Sequence, residues 1–199
     1  MNFSTVLNHR HLEYFDDGHV YLCDGIEIPS ITQMLADEFG HRFDGIDSEV
    51  LRRAAEKGTQ VHEAIEDYCR TGREADLPEV RGWKELQEKH GFEVVGNELP
   101  VILSWRHEVI AAGRLDLLLR EDDVLGIGDI KRVSKLDTDY LTRQLNLYRI
   151  AYMQTYGQNI DFLRGVHLRE SVKRYVDIPV EGEKTYNFIN KWVKEHKHE

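Results

Sequence analysis

Cysteine is scarce. Cys23 and Cys69 are the only two among 199 residues, too few for a zinc ribbon or for an iron–sulfur cluster with four cysteine ligands. Proline occurs four times, and no Pro-, Gly- or Ser-rich run marks a linker. Long apolar runs are missing as well: none approaches the ~18–20 residues a membrane span needs. The opening MNFSTVLNHR has neither an apolar signal core nor a transit-peptide pattern, so a reducing cytoplasmic setting is expected and a membrane partner is not. What is present suits a folded domain, with 41% hydrophobic and 31% charged residues. That mixture excludes a disordered chain, a collagen repeat and a disulfide scaffold, and the length suits one domain.

Charge is uneven along the chain. The net value of −10 by itself argues against a nucleic-acid partner. Residues 1–130, however, hold 27 acids and 13 bases, whereas residues 131–174 hold 4 acids and 9 bases, among them Arg132, Arg143, Arg149 and Arg164. Two readings stay open: charge that solvates helix faces, or a basic surface for a polyanion beside a carboxylate site for a cation.

The pattern predicts a β-hairpin over 11–28, with turns at DDGH and at Asp24–Gly25. Pro29 stops it, and Ser30 to Gln33 reads as a capping box opening a short helix that Gly40 ends. A long helix is expected from about Ser48 to Cys69, with Gly58 in its middle, where a close backbone or ligand would explain a residue that costs ~1 kcal/mol relative to alanine. Another helix runs from Pro78 to Gly91. The period then changes to β-rich runs, FEVVGNELPVILS, HEVIAAGRLDLLLR and VLGIGDIKRV. Asp137 or Thr138 caps a helix closed by Gly157; two strands and an amphipathic helix follow. The expected class is α/β or α+β, a small mixed sheet flanked by helices.

Chemistry concentrates in GRLDLLLR and GIGDIKRV. Side chains alternate on a strand, so Asp129 and Lys131 share one face while Ile130 is buried on the other. Asp116, in the preceding strand, sits among leucines, where a carboxylate is costly without a partner or a cation. Two such carboxylates can hold Mg²⁺, which prefers oxygen ligands, and a nearby lysine can orient an attacking water. An Asp–Lys ion pair on a solvated face is the plain alternative. In KGTQVHEAIEDY, His62 and Glu66 share a helix face at i and i+4, and histidine is a metal ligand. Gln144 and Tyr148 repeat that spacing in RQLNLYRIAY, where tyrosine can also be simple core. Glu98, in NELPV, reads as structural before catalytic.

Taken in order, GTQVH, NELPV, GRLDLL, GDIK and QLNLY resemble the PD-(D/E)XK nuclease superfamily, in particular its RecB-type and phage exonucleases. The resemblance spans roughly residues 11–168. It implies a restriction-endonuclease-like core within a single domain over 1–199: an N-terminal hairpin and short helix in 1–46, a catalytic core in 47–168, and a C-terminal strand and helix in 169–199. It further implies Asp116, Asp129 and Lys131 as catalytic residues. His62, Asp116, Asp129 and the Ile130 backbone carbonyl become ligands of Mg²⁺ or Mn²⁺, with Glu66 and Glu98 as further candidates and no iron–sulfur cluster. Gln144, Tyr148, Arg132, Arg143 and Arg149 become substrate-binding residues, although Arg132 stands where relatives often carry a small hydroxyl residue. The implied activity is a DNA exonuclease of phage or bacterial recombination or repair. Its DNA is single- or double-stranded, and a recombinase, helicase or single-strand-binding protein is a candidate partner. A structure-selective endonuclease or nickase, and a non-catalytic binding module on the same fold, are the alternatives.

Overall fold

Short strands joined by tight turns build the first sheet. The structure is a computed structural model describing residues 2–197, with the backbone alone described at 42 and 43. β1 (Phe3–Leu7), β2 (Arg10–Phe15), β3 (Val20–Cys23) and β4 (Ile26–Ile28) form an antiparallel meander in that order. The Asp24–Gly25 turn has both residues at positive φ, 51° and 78°, as a two-residue hairpin loop requires. The expected hairpin is therefore three strands, β2 to β4, of a four-stranded sheet. β1 joins it through Asn8 and His9, both at positive φ without a glycine, so the usual turn signal is missing from the sequence.

The capping box forms reciprocally. Ser30 Oγ accepts from the Gln33 amide at 3.0 Å, and Gln33 Oε1 accepts from the Ser30 amide at 2.6 Å. The helix it opens is shorter and tighter than expected: a 3₁₀ turn (Gln33–Leu35) runs into a single α turn, α1 (Ala36–Phe39). Its entry is fixed by backbone pairing to a neighbouring strand, Ile31 N–H to the Ala112 carbonyl at 2.7 Å and Ala112 N–H to that of Pro29 at 3.0 Å.

The second sheet has five strands in sequence order: β5 (Glu93–Trp105), β6 (Glu108–Glu121), β7 (Val124–Lys131), β8 (Phe162–Arg169) and β9 (Val172–Ile178). Every neighbouring pair is antiparallel except β7 and β8, which are parallel and need a crossover, supplied by α4 (Thr138–Tyr156). α2 (Ser48–Thr71) and α3 (Pro78–His90) bring Val61, Ile65, Val80, Trp83 and Leu86 onto Leu117, Leu119, Ile130, Val166 and Leu168. α4 and α5 (Gly182–His196) form the larger core with Ile31, Met34 and Leu35. Asp47 and Asp137 accept amide hydrogens at the starts of α2 and α4, and Gly72, Gly91 and Gly157 close three helices in the left-handed region; the ends at Asp137, Gly91 and Gly157 are those expected, and α2 runs two residues past Cys69. The result is a mixed α+β fold, as expected. Among the described residues no helix is long and apolar enough to cross a membrane.

Of the two explanations offered for Gly58 in α2, the close backbone fails. No atom beyond its own helix comes within 4 Å of a Cβ built on Gly58, so no approaching backbone accounts for that glycine. The N-terminal half of the helix is largely exposed, and its buried residues begin at Val61.

The decisive feature is where the sheet parts. The β6–β7 ladder runs from Glu121↔Val124 to Leu117↔Gly128 and ends. β7 continues alongside β8, pairing Asp129 with Gly165 and Lys131 with His167. β6 continues alongside β5, and the Pro29–Ile31 segment takes the edge that β7 vacates. A notch opens between the two strands. Upstream of it, β7 lies tight against β8 because Gly126 lets the Phe162 ring cover its backbone; a Cβ there would fall inside the ring. Gly126→Ala is expected to destabilise the fold by about 1–3 kcal/mol, read from urea midpoints. Adding Phe162→Leu should recover most of that loss, and a double variant no better than the single one would show that the ring is not the obstacle.

Candidate metal centre

The notch is lined by acids that the parted ladder leaves without ordinary strand partners. Ile130 N–H donates not to a carbonyl of β6 but to Asp116 Oδ2, at 2.9 Å. From α2, His62 reaches in: Nε2 lies 2.9 Å from the Ile130 carbonyl and Nδ1 lies 3.5 Å from Asp116 Oδ2. Glu98 completes the group. One ligand atom from each of His62, Glu98 and Asp116 lies within 4.8 Å of the others, and all three residues are half-buried.

Glu98 gets there through strained backbone. It sits in β5 with φ of +50°, a region glutamate rarely enters outside special sites. The β5–β6 register pairs Asn97 with Leu117 and Leu99 with Leu115, and passes over Glu98. Its carboxylate is ion-paired with Arg114, whose guanidinium stacks over the Tyr14 ring at 5.3 Å. The first sheet thereby touches the site through one arginine.

Asp129 stands apart from this group. Only 4% exposed, it places Oδ2 2.6 Å from Lys131 Nζ in a close ion pair. The expected quartet is thus rearranged. His62 and Asp116 face a common point with Glu98, the Ile130 carbonyl touches His62, and Asp129 is held by the lysine. Glu66 lies outside the three-residue group, although its charge reaches Glu98.

Electrostatics fit a cation. Burial, with Asp116 adding repulsion, pushes the Glu98 carboxyl up to about 7, against the opposing pull of Arg114 and His62. Burial and the same repulsion raise Asp129, partly offset by Lys131. Burial alone would lower the Lys131 ammonium, yet Asp129 and Asp116 outweigh it and hold it above its ordinary value, so Lys131 is a cation at neutral pH. An imidazole and two carboxylates form a donor set for Mg²⁺, Mn²⁺ or Zn²⁺. The 3.5 Å gap between His62 Nδ1 and Asp116 Oδ2 is long for a hydrogen bond but close to the spacing of two ligands each about 2.1 Å from one ion.

The remaining expected residues are placed elsewhere. Gln144 and Tyr148 lie on the inner side of α4, 5% and 7% exposed. Tyr148 fills the space above Gly113, where a Cβ would stand 2.8 Å from its ring, and Gln144 Oε1 is buried without a hydrogen-bond partner. The three arginines expected to meet a polyanion make internal contacts instead. Arg132, with 10% of its side chain exposed, pairs with Glu79 at 2.7 Å and with Glu170. Arg149 donates to the Ile160 carbonyl at 2.9 Å, and Arg143 stacks on Phe188 beside Glu38. Arg164 and Lys173 likewise pair with Glu121, Asp177 and Glu85. Acids distant in sequence neutralise much of the basic stretch, which a linear count of charge does not register.

No protein-family model matches the chain, and no curated protein matches it. Among solved structures the chain is similar to one described as the crystal structure of SSO0001, at 13% identity and a TM-score of 0.48, over 85% of this chain and 76% of that one. A likeness of that degree leaves the reading of the site to its geometry.

The raised Glu98 pKa has a checkable consequence. The folded carboxyl holds a proton that the unfolded chain, near its ordinary value of 4.5, has already released. Glu98 therefore lowers metal-free stability as pH rises from about 4.5 through 7, by on the order of 3 kcal/mol. Melts in EDTA should show that fall, Glu98→Gln should flatten it, and Mn²⁺ at pH 8 should restore the native chain more than the variant. An identical slope in the variant would remove Glu98 as its source.

Proposed function

We propose that this chain is a nuclease of the PD-(D/E)XK type that uses Mg²⁺ or Mn²⁺ to hydrolyse DNA phosphodiester bonds. The observation that carries the reading is the convergence of His62, Glu98 and Asp116 within 4.8 Å next to a charged Lys131–Asp129 pair. Two carboxylates and an imidazole gathered beside a buried ion pair are costly unless a cation compensates them, and the motif order of the sequence leads to His62, Asp116, Asp129 and Lys131, with Glu98 as a further candidate.

In this reading His62, Glu98 and Asp116 hold the ion. When bound, a divalent cation supplies positive charge to a phosphodiester and makes water more acidic. The rest falls to the protein. Asp116 ties the ligand set to the sheet through the Ile130 amide, and His62 is steered by the Ile130 carbonyl. Lys131, kept protonated by Asp129 and Asp116, is suited to stabilise charge on the phosphate and to orient the attacking water; as an ammonium it is unsuited to removing a proton. Asp129 acts through Lys131, and Arg114 holds Glu98 at the site. An exonuclease, working in phage or bacterial recombination or repair, is the form of activity that the sequence resemblance favours.

The test is an end-labelled linear DNA, single- and double-stranded, beside a closed circle, each with Mg²⁺ or Mn²⁺. Cleavage of the linear forms alone, abolished by EDTA, is expected of the exonuclease; cleaved circles would make the enzyme an endonuclease. Lys131→Ala should lower the rate by about 10²–10³-fold while leaving Mn²⁺ affinity within a few fold by calorimetry, and undiminished cleavage would end the mechanism. His62→Ala should weaken Mn²⁺ binding by about tenfold or more; an unchanged isotherm removes His62 from the ligand set.

A further inference from the structure

Lys131 stands on a strand end that has lost one of its neighbours. The β6–β7 ladder ends at Gly128. Asp129, Ile130 and Lys131 then pair with β8 on one side and meet β6 through the Asp116 carboxylate on the Ile130 amide. β7 itself ends at Lys131. A strand end paired on one side is a poor mount for a side chain whose reactive atom has to be placed to within about 0.5 Å, unless something beyond the ladder braces it.

The two residues after Lys131 supply that bracing. Arg132 reaches α3, on the side of the sheet where Ile130 is packed, opposite to the side that Lys131 faces. Its Nε donates to Glu79 Oε1 at 2.7 Å, and Nη2 pairs with Glu170 in the turn between β8 and β9. His167 Nε2 then donates to the Val133 carbonyl at 2.7 Å, and His167 is the β8 residue in register with Lys131. The Arg132–Glu79 pair is the telling one, because both side chains are almost wholly covered, 10% and 4% exposed. A buried ion pair adds little to stability that well-packed apolar residues of the same volume would not. What it adds is direction: the planar guanidinium fork accepts its partners in a fixed geometry, and Glu79 is itself set in the first turn of α3 behind Pro78. The exposed pairs of Glu49 with Arg52 and Arg53 join residues within one helix. Arg132 and Glu79, by contrast, are 53 residues apart and tie the end of β7 to another element.

We propose that Arg132 and Glu79 are positioning residues that hold Lys131 at the metal centre, acting through the backbone of β7 without touching the substrate. The inference rests on the nuclease reading and deepens it. For Arg132 it replaces the substrate contact expected from the sequence with a role behind the strand.

The test is the double exchange Arg132→Met with Glu79→Leu in the full chain. It removes both charges together and leaves neither buried alone, so the thermal midpoint should stay near the native one. Steady-state DNA cleavage should show kcat lower by about 10–100-fold, while KM and the calorimetric Mn²⁺ affinity stay within about twofold of native. Arg132→Lys, which keeps a cation on Glu79, should retain most of the native kcat. A folded double variant with native kcat overturns the proposal, and so does a loss of kcat that follows the thermal midpoint or the Mn²⁺ affinity. A second readout needs no cleavage. Acetylation of Lys131 by acetic anhydride, measured by mass spectrometry against Lys191, whose side chain is 75% exposed, should be several-fold faster in the double variant than in the native chain. If the native chain cleaves no DNA, the nuclease reading fails and this rate alone decides; an unchanged rate then overturns the brace as well.

Discussion

The arrangement depends on one hydrogen bond that replaces another. Beyond Leu117↔Gly128 the β6–β7 ladder stops, and the amide of Ile130 needs an acceptor because a buried N–H cannot be left unpaired without cost. Asp116 supplies it from its side chain. A strand pair that would have zipped closed is instead pinned open by a carboxylate, and the notch so formed admits His62 from one side and Glu98 from the other. With a backbone carbonyl in that place there would be neither a gap nor a charge in it.

The charge has to be balanced. The Asp116 charge adds to burial in raising the proton affinity of both Glu98 and Asp129, and the protein offers two cations of its own, Lys131 to Asp129 and Arg114 to Glu98. Each cation also connects the notch to something else. Lys131 lies on β7, paired with His167 of β8. Arg114 lies under Tyr14 of the first sheet, so the N-terminal meander, which has its own small core with Ile102 and Ala112, contributes to the site's electrostatics without supplying a ligand. The backbone strain at Glu98 fits this picture, because strained conformations persist where surrounding contacts over-determine them.

The sequence and the structure weigh the same residues differently. Asp129 and Lys131 were legible as a same-face pair because strand alternation is rigid. Glu98 was legible only as a further candidate, because its approach to Asp116 comes from a left-handed residue in mid-strand; within NELPV nothing but the acid itself hints at this. The basic stretch misled in the opposite sense. Six of its charges, those of Lys131, Arg132, Arg143, Arg164, Arg169 and Lys173, find acids in space, several of them more than forty residues away, so a local excess of arginine did not become a free basic surface at those positions.

Local rules read directly from the chain determined a good deal: the helix ends at Asp137, Gly91 and Gly157, the Ser30–Gln33 capping box, the change from helical to strand period after Gly91, and the mixed class of fold. Those features depend on backbone geometry within a few residues of the signal, and neighbouring side chains suffice to express them. Tertiary structure alone decided where β7 leaves β6, which acid stands with His62, and which acids pair with the basic stretch. Each of these turns on contacts between segments far apart in sequence, whose free energies are settled only when burial and charge are shared across the assembled sheet.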